Sequence, residues 1–546
     1  MDKIKDFGVL YGQKTTEDAL LIYSSYEDSK ASPQTGDFIV LAPQDEDGAK
    51  FLARVEAEIY DEDPIFKSQD KTLIAVHYAR IAERELSDRD KQKIFSYTYK
   101  VKILGTFAKT GTSLKFTTAV RKLPTVSYHA RHLNAMEIDN LLNFGNERGI
   151  VLGNLCIGED FNRNKSEILF DIDKLRNKRT MIFAQSGFGK TNLMKVMLRH
   201  MMSDNSYGKL IFDLNGEYFL KSKKTYGLGD IDHFNIKDNM IVFTDKKVDE
   251  RYEGRFHNRG KVLINTHEHL TIGDILNFSP GFSEVMKSFL LYLDEVGVTD
   301  FIKKIDDYVK DPSQLHKAYP DFFSEKKTEE ASARKTVAAI RKRIRHLIDE
   351  GKGIHSASSR LIEEVFHALK NGRTVIIDLS LKDSMDASII STMIVRKLFE
   401  QNKANYTNDI AEAPVIPAII VVEEAQNVLS EEFVKSNANP FVRVAKEGRK
   451  FGIGIIAVTQ RPSAISDEIR TQAENFFVFH MGNSDDIRAL VKSNINYDGV
   501  IANFIQRETI PGNLYMVSSN QSFVLPIRVK EFEKLVENEL YPDSKL

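Results

Sequence analysis

One cysteine, Cys156, in 546 residues leaves no intrachain disulfide and no cysteine-based zinc site, and fits a reducing compartment. No apolar run reaches the ~18 residues that a membrane helix needs. The best run, Val415 to Val422, contains Pro417 and ends against two glutamates. The opening Met-Asp-Lys-Ile-Lys-Asp-Phe-Gly has no apolar signal core, so a cytoplasmic location is expected. An excess of one charge is also missing, with 76 basic against 78 acidic residues. The chain as a whole is therefore no electrostatic magnet for nucleic acid, and DNA contact would have to come from local basic surface. No low-complexity tract is long enough to suggest extensive disorder, and 42% hydrophobic with 28% charged residues is the balance of a globular protein. The chain is too long for one core and should divide into about three or four units.

What is present is concentrated in a few strings. Ala184-Gln-Ser-Gly-Phe-Gly-Lys-Thr191 follows the apolar run Met181-Ile182-Phe183 and precedes a helical pattern through Leu193, Met194, Met197, Leu198 and Met201. Strand, glycine-rich turn and helix is the setting of a phosphate-binding loop. Gly187 and Gly189 let the backbone curl so that successive N–H groups, from Ser186 through Phe188 to Asn192, face inward beside the helix N-terminus. Lys190 would reach the β- and γ-phosphates of ATP, and the Thr191 hydroxyl would take a position on Mg²⁺.

Other apolar runs also end in polar residues, as buried parallel strands do where their carboxyl ends face a ligand. Leu210 to Phe212 ends at Asp213, Val375 to Ile377 at Asp378, Ile419 to Val422 at Glu423-Glu424, and Ile453 to Val458 at Thr459-Gln460. In a P-loop enzyme one carboxylate must serve the metal and a neighbour can deprotonate water, so Glu423 is read as the metal-side residue and Glu424 as the base. Gln460 can touch both the γ-phosphate and the attacking water. Arg449 or Arg443 could supply transition-state charge within the subunit or across a boundary.

The organisation that follows is a β-rich segment at 1–125, read as a small barrel from runs at Ala19 to Tyr23, Asp37 to Leu41, Phe51 to Glu58, Thr72 to Tyr78, Tyr97 to Leu104 and Leu114 to Val120. A connector spans 126–149, with a short helical stretch near Met136 to Leu142. An α/β core occupies 150–270 and 357–510, interrupted by a helical insertion at 271–356 and followed at 511–546 by strands and a helix for subunit contact. In the insertion, Phe282 to Val296 reads as helical, and Val337, Ile340, Ile344 and Leu347 place one buried face on a long helix from Glu329 to Glu350.

The ordered set of the P-loop, Asp213-Leu-Asn-Gly-Glu217-Tyr218, Glu423-Glu424-Ala-Gln, Glu447-Gly-Arg-Lys-Phe-Gly452 and Thr459-Gln-Arg-Pro462 resembles the HerA family, in the HerA/FtsK branch of RecA-like ATPases. The resemblance implies an α/β RecA-like P-loop core with an N-terminal HAS-barrel-like domain and an inserted helical bundle. It further implies a homo-hexameric ring that threads double-stranded DNA through a central channel and works with a separate NurA-like nuclease or defence effector, without a membrane. Carried over by position, Lys190 and Thr191 bind nucleotide and Mg²⁺, Glu424 is the catalytic carboxylate, Gln460 the sensor, and Arg449 or Arg443 a trans-acting finger; Asp213 and Glu217 lie near the nucleotide. Two departures stand out: Ala184 replaces the usual first glycine, and Glu423 stands where aspartate is usual. Lys221, Lys223 and Lys224 are candidates for tracking DNA phosphates, while Arg334, Lys335, Arg341, Lys342, Arg343 and Arg345 read as a solvated helix face or subunit contact. Two other readings stay open: a scaffold ring that activates an effector with little translocation, and a VirB4-type conjugation or secretion ATPase.

Overall fold

Short stretches of β-branched and aromatic residues between turn residues form the strands β1 (Asp6–Lys14), β2 (Ala19–Ser25), β3 (Phe38–Ala42), β4 (Lys50–Tyr60), β5 (Ser96–Thr110), β6 (Ser113–Thr117) and β7 (His129–His132). The computed structural model describes residues 6–14, 19–25, 33–44, 48–60, 96–110, 113–142, 149–156, 166–221, 225–231, 237–278, 282–298, 300–311, 313–318, 330–407, 414–436, 439–519, 521 and 523–540. The strand expected at Thr72 to Tyr78 lies outside them.

The strands run in the order β2-β1-β7-β3-β4-β5-β6, and β2 also pairs with β5. Six strands thus close into a barrel, which removes the open edges that a small sheet would expose. Phe7, Leu10, Ile22, Ile39, Val55 and Tyr99 fill it. The barrel takes in β7, past the limit at 125 that the sequence suggests. Arg131 of β7 makes a bidentate pair with Glu137 in helix α1 (Ala135–Leu142), at 2.9 and 2.8 Å. Asn134 and Glu137 cap that helix reciprocally. An antiparallel hairpin of β8 (Ile150–Leu155) and β9 (Glu167–Phe170) follows.

The second unit covers Asp173–Asn475 and Glu531–Leu546. Its strands are β10 (Arg179–Phe183), β11 (Gly208–Asp213), β12 (Met240–Phe243), β13 (His257–Asn258), β14 (Thr374–Asp378), β15 (Ala418–Val422) and β16 (Ile453–Thr459), in the order β13-β12-β14-β11-β15-β16-β10. Neighbours among these strands pair in parallel. The five strands flanked by P-loop and acidic strings, β10, β11, β14, β15 and β16, are buried almost throughout, which accounts for their near-continuous apolar sequences. Parallel pairing puts every carboxyl end on one edge of the sheet. Helix α2 (Lys190–Met201) leaves that edge directly after β10.

The insertion holds helices α3 (Ile272–Phe278), α4 (Glu284–Glu295), α5 (Phe301–Lys310) and α6 (Glu330–Arg343). Val337, Ile340, Ile344 and Leu347 are buried, as their spacing requires. The long helix read to Glu350 is nevertheless broken at Ile344, after which a single turn, Arg345–Ile348, follows. Carbonyls of that turn are taken elsewhere: Thr266 donates to Leu347, His267 meets Ile348, and the Ile354 N–H donates to His346. With those acceptors satisfied from outside, helix continuation gains nothing. Helix α7 (Leu361–Lys370) leads into β14, and α8 (Ser384–Thr407) and α9 (Pro440–Glu447) flank β15 in sequence.

Residues 476–530 return to the first unit, which comprises Met1–Ile172 and Phe476–Lys530. Strands β17 (Asn475–Val478), β18 (Asn513–Val517) and β19 (Leu525–Val529) pair antiparallel in that order, and β19 pairs with β8. The sequence reading placed much of this segment with the ATPase core. The pairing with β8 joins strands more than three hundred and fifty residues apart, such as Ile527 with Leu155, and residues 476–530 cluster with the first unit. The chain then re-enters the second unit as helix α10 (Phe532–Leu540), which packs on α2.

Candidate functional site: a P-loop facing two acidic strand ends

Between β10 and α2 the chain turns through Gly187 at φ +85° and Gly189 at φ +109°, both in the region that glycine enters without penalty. Gly189 is the N-cap of α2, whose first turn carries no acidic side chain, so the positive end of the helix dipole is left for a ligand. A Cβ built on Gly187 would meet nothing within 4 Å, so the loop is open on that side. Ser186 and Gly187 are exposed, Phe188 is half-buried, and Ala184 is buried at the strand end, its N–H on the Thr459 carbonyl at 3.2 Å. Ala184 is not among the four non-glycine residues with positive φ among the described residues, so its methyl group costs little there.

Glu424 is one of those four, at φ +46° and ψ +47°. A side chain in this region carries ~1–3 kcal/mol of strain, which surrounding contacts must hold. They are visible. Lys190 Nζ lies 3.5 Å from Oε1, Gln460 donates to Oε1 at 3.1 Å, and Gln426 donates to Oε2 at 2.8 Å. Gln426 is itself fixed by the Thr459 hydroxyl, which donates to its carbonyl oxygen at 2.6 Å. Burial raises the Glu424 pKa, but the donors Gln426, Gln460 and Lys190 outweigh it and hold the carboxyl below its ordinary value. Glu424 therefore stands ionised, half-buried, with a cation and two amides around it.

Every polar residue of the string Asp213 to Tyr218 is used. Buried Asp213 accepts the N–H groups of Gly216, Glu217 and Tyr218 at 2.7, 3.1 and 3.0 Å, which closes the turn; Gly216 sits in it at φ +69°. Burial raises the Asp213 pKa in spite of these donors. Tyr218, wholly buried, donates from its hydroxyl to Glu423 Oε1 at 2.5 Å, and Asn215 donates to Glu423 Oε2 at 3.2 Å. Glu423 is buried, and that burial pushes its pKa up to about 7 against the Tyr218 hydrogen bond. Glu217 is exposed and accepts the Thr191 hydroxyl at 2.9 Å. A hydroxyl beside a carboxylate at the head of a P-loop helix is an all-oxygen donor set, which suits Mg²⁺.

Lys190, Thr191, Asp213, Glu217, Glu423, Glu424 and Gln460 thus meet on the carboxyl edge of the sheet. The Asn192 side-chain oxygen accepts the Phe532 N–H at 2.8 Å and so anchors α10. Arg449 is 67% exposed and 4.0 Å from Glu474, in the turn that enters β16. Seven residues of β16 at ~3.3 Å each put it ~20 Å along the sheet from Gln460, at the opposite edge from the P-loop of its own chain. Arg443 is half-buried on α9. Lys221 stacks its ammonium 4.0 Å over the Tyr226 ring, while Lys223 and Lys224 lie outside the described residues. In the basic helix, Arg341 is held between Asp306 and Asp349, and Arg334, Lys335, Lys342, Arg343 and Arg345 are exposed.

Three contributors were not singled out from the sequence. Asn215, Tyr218 and Gln426 all lie inside the strings quoted above, but nothing in their spacing says which carboxylate each would hold.

The family model described as helicase HerA, central domain, matches residues 150–398, and that described as Zonular occludens toxin (Zot) matches residues 332–482. A probable helicase of Methanocaldococcus jannaschii is 24% identical over 470 residues, covering 82% of this chain and 77% of its own length. The DNA double-strand break repair helicases HerA of Sulfurisphaera tokodaii and Pyrococcus furiosus are 25% and 23% identical, covering 66% and 65% of this chain. The alignments span 64% and 65% of those two relatives, just under two thirds of their length. Among solved structures, VirB4 of Thermoanaerobacter pseudethanolicus aligns with a TM-score of 0.43 and 13% identity over 70% of this chain and 97% of its own. The bacterial conjugative coupling protein TrwBdeltaN70 aligns at 0.45 and 11%, over 72% and 92%.

Proposed function

The chain belongs to the HerA family and is a P-loop ATPase, and from that premise we propose that it is a motor that moves along double-stranded DNA. The observation that carries the reading is the convergence on Glu424 of the P-loop lysine and the Gln460 amide from the strand beside it. In this reading the N–H groups from Ser186 to Thr191, with Lys190, hold the polyphosphate. Thr191 and a carboxylate next to it hold the magnesium, which when bound neutralises phosphate charge. Glu424 takes the proton of the attacking water, and Gln460, on the same carboxylate, couples the state of that site to β16.

Arg449 cannot serve its own chain's site from the opposite edge of the sheet. A second copy, placed head to tail, could present it, and closing that contact on itself gives a ring. We place duplex DNA in the channel of a hexamer of this kind, with a separately encoded nuclease or defence effector acting on the DNA. The names of two relatives, DNA double-strand break repair helicases, favour DNA end processing.

The test is displacement of a third strand from linear duplex DNA, followed alongside ATP hydrolysis. Displacement that needs ATP and is lost in Glu424→Gln supports a motor. Hydrolysis that proceeds without displacement would replace it with the scaffold ring.

A further inference from the structure

We infer that Glu217, and not the strand-end Glu423, is the carboxylate on the magnesium side of the nucleotide site; this rests on the ATPase reading given above. Three observations carry it.

The first is a distance. Thr191 Oγ1 and Glu217 Oε2 are 2.9 Å apart. Two oxygens on neighbouring positions of an octahedral Mg²⁺, each at ~2.1 Å, are separated by ~3.0 Å. Thr191 and Glu217 are therefore close enough that both oxygens would hold one ion together.

The second is that Glu423 is committed elsewhere. Its Oε1 accepts the hydroxyl of the wholly buried Tyr218 at 2.5 Å and its Oε2 accepts Asn215 at 3.2 Å. To serve a metal it would have to leave a buried hydroxyl without a partner, at a cost that an exposed carboxylate such as Glu217 does not face.

The third is that the position of Glu217 is built. Asp213 takes the N–H groups of residues 216, 217 and 218, and Gly216 makes the turn at φ +69°. A Cβ on Gly216 would meet the Lys246 ammonium and Ser380 Oγ, so both side chains lie against the turn. The same six-residue string thus removes Glu423 from the metal, through Asn215 and Tyr218, and presents Glu217 in its place.

The experiment is the affinity of the full chain for ATPγS, measured with Mg²⁺ and with EDTA, for the native protein, Glu217→Gln, Glu217→Asp and Glu423→Gln. Binding in EDTA reports folding and the P-loop alone. The native chain should bind more tightly with magnesium. Glu217→Gln should lose that gain by ~10–100-fold while its EDTA affinity stays native, and Glu217→Asp should recover part of it. Glu423→Gln should keep the gain. A magnesium gain that survives Glu217→Gln, or that is lost in Glu423→Gln, overturns the assignment. No ATPγS binding by the native chain in either buffer would overturn the ATPase reading itself, which is a different result from either.

Discussion

Lys190 Nζ stands 3.5 Å from Glu424 Oε1, so the cation of the P-loop and the carboxylate at the end of β15 hold one another across the site. A polyphosphate would compete for that lysine. Glu424→Gln removes the charge and keeps the shape. It should reduce turnover by ~10²–10⁴-fold, the range for loss of a general base. Nucleotide binding should be retained or strengthened, because Lys190 is released. Steady-state hydrolysis together with equilibrium binding checks both halves; loss of binding in parallel with turnover would mean that Glu424 supports the fold of the loop instead.

Gln426 donates to the ionised form of Glu424, and with Gln460 and Lys190 it keeps that carboxyl below its ordinary pKa in spite of burial. Removing one donor destabilises the charged form, so the pKa rises. If Glu424 must be ionised to act, Gln426→Ala should shift the acid limb of the kcat/KM profile to higher pH, since kcat/KM reports the free enzyme. Gln426→Glu would add a like charge and should shift it further. An acid limb at the native position in both variants would place the titrating base elsewhere.

In the barrel unit, Arg131 and Glu137 form a buried bidentate pair, and Glu137 also accepts the Asn134 N–H. Glu137→Ala leaves a buried guanidinium without its partner, which typically costs ~3–5 kcal/mol. The midpoint of urea unfolding followed from the barrel aromatics should fall accordingly. A change near zero would show that water replaces the carboxylate at no cost.

Lys209, fully buried in β11, donates to the carbonyls of Gly372, at 3.0 Å, and Asp204. Burial lowers its pKa from 10.5 to about 8. A cation whose folded pKa is depressed opposes folding while it is charged in both states, and that penalty fades as pH rises from the folded toward the unfolded value. Relative to Lys209→Met, the native chain should therefore gain stability between about pH 8 and 10.5, by ~3 kcal/mol in all. Parallel pH dependences for the two proteins would contradict this.

Much of the site was legible because it depends on local chemistry. A glycine-rich turn between an apolar run and a helical pattern can do few other things, and buried parallel strands write themselves as unbroken apolar runs ending in polar residues. The amphipathic spacing of Val337, Ile340, Ile344 and Leu347 likewise fixed a buried face. What escaped depends on groups distant in the chain. Strands β17 to β19 join the first unit through β8, and no local pattern in 476–530 encodes that partner. The end of the turn Arg345–Ile348 follows from Thr266, His267 and Ile354 taking the carbonyls of Leu347, Ile348 and His346. Glu423 and Glu217 could be recognised as acidic residues near the nucleotide, but their division of labour follows from Tyr218 and Asn215, which only the packed structure brings to Glu423. Strand β1 was missed because Gly8 and Gly12 weaken its pattern, although Gly8 is packed so closely that a Cβ would meet the Tyr23 carbonyl oxygen at 2.6 Å.

The most direct test of the whole account is steady-state ATP hydrolysis by the purified chain, with and without linear duplex DNA, using Glu424→Gln as the blank. A DNA-driven motor with this site should hydrolyse ATP faster when duplex is added and lose that turnover in the blank. Turnover that ignores DNA, or that persists in Glu424→Gln, would contradict it.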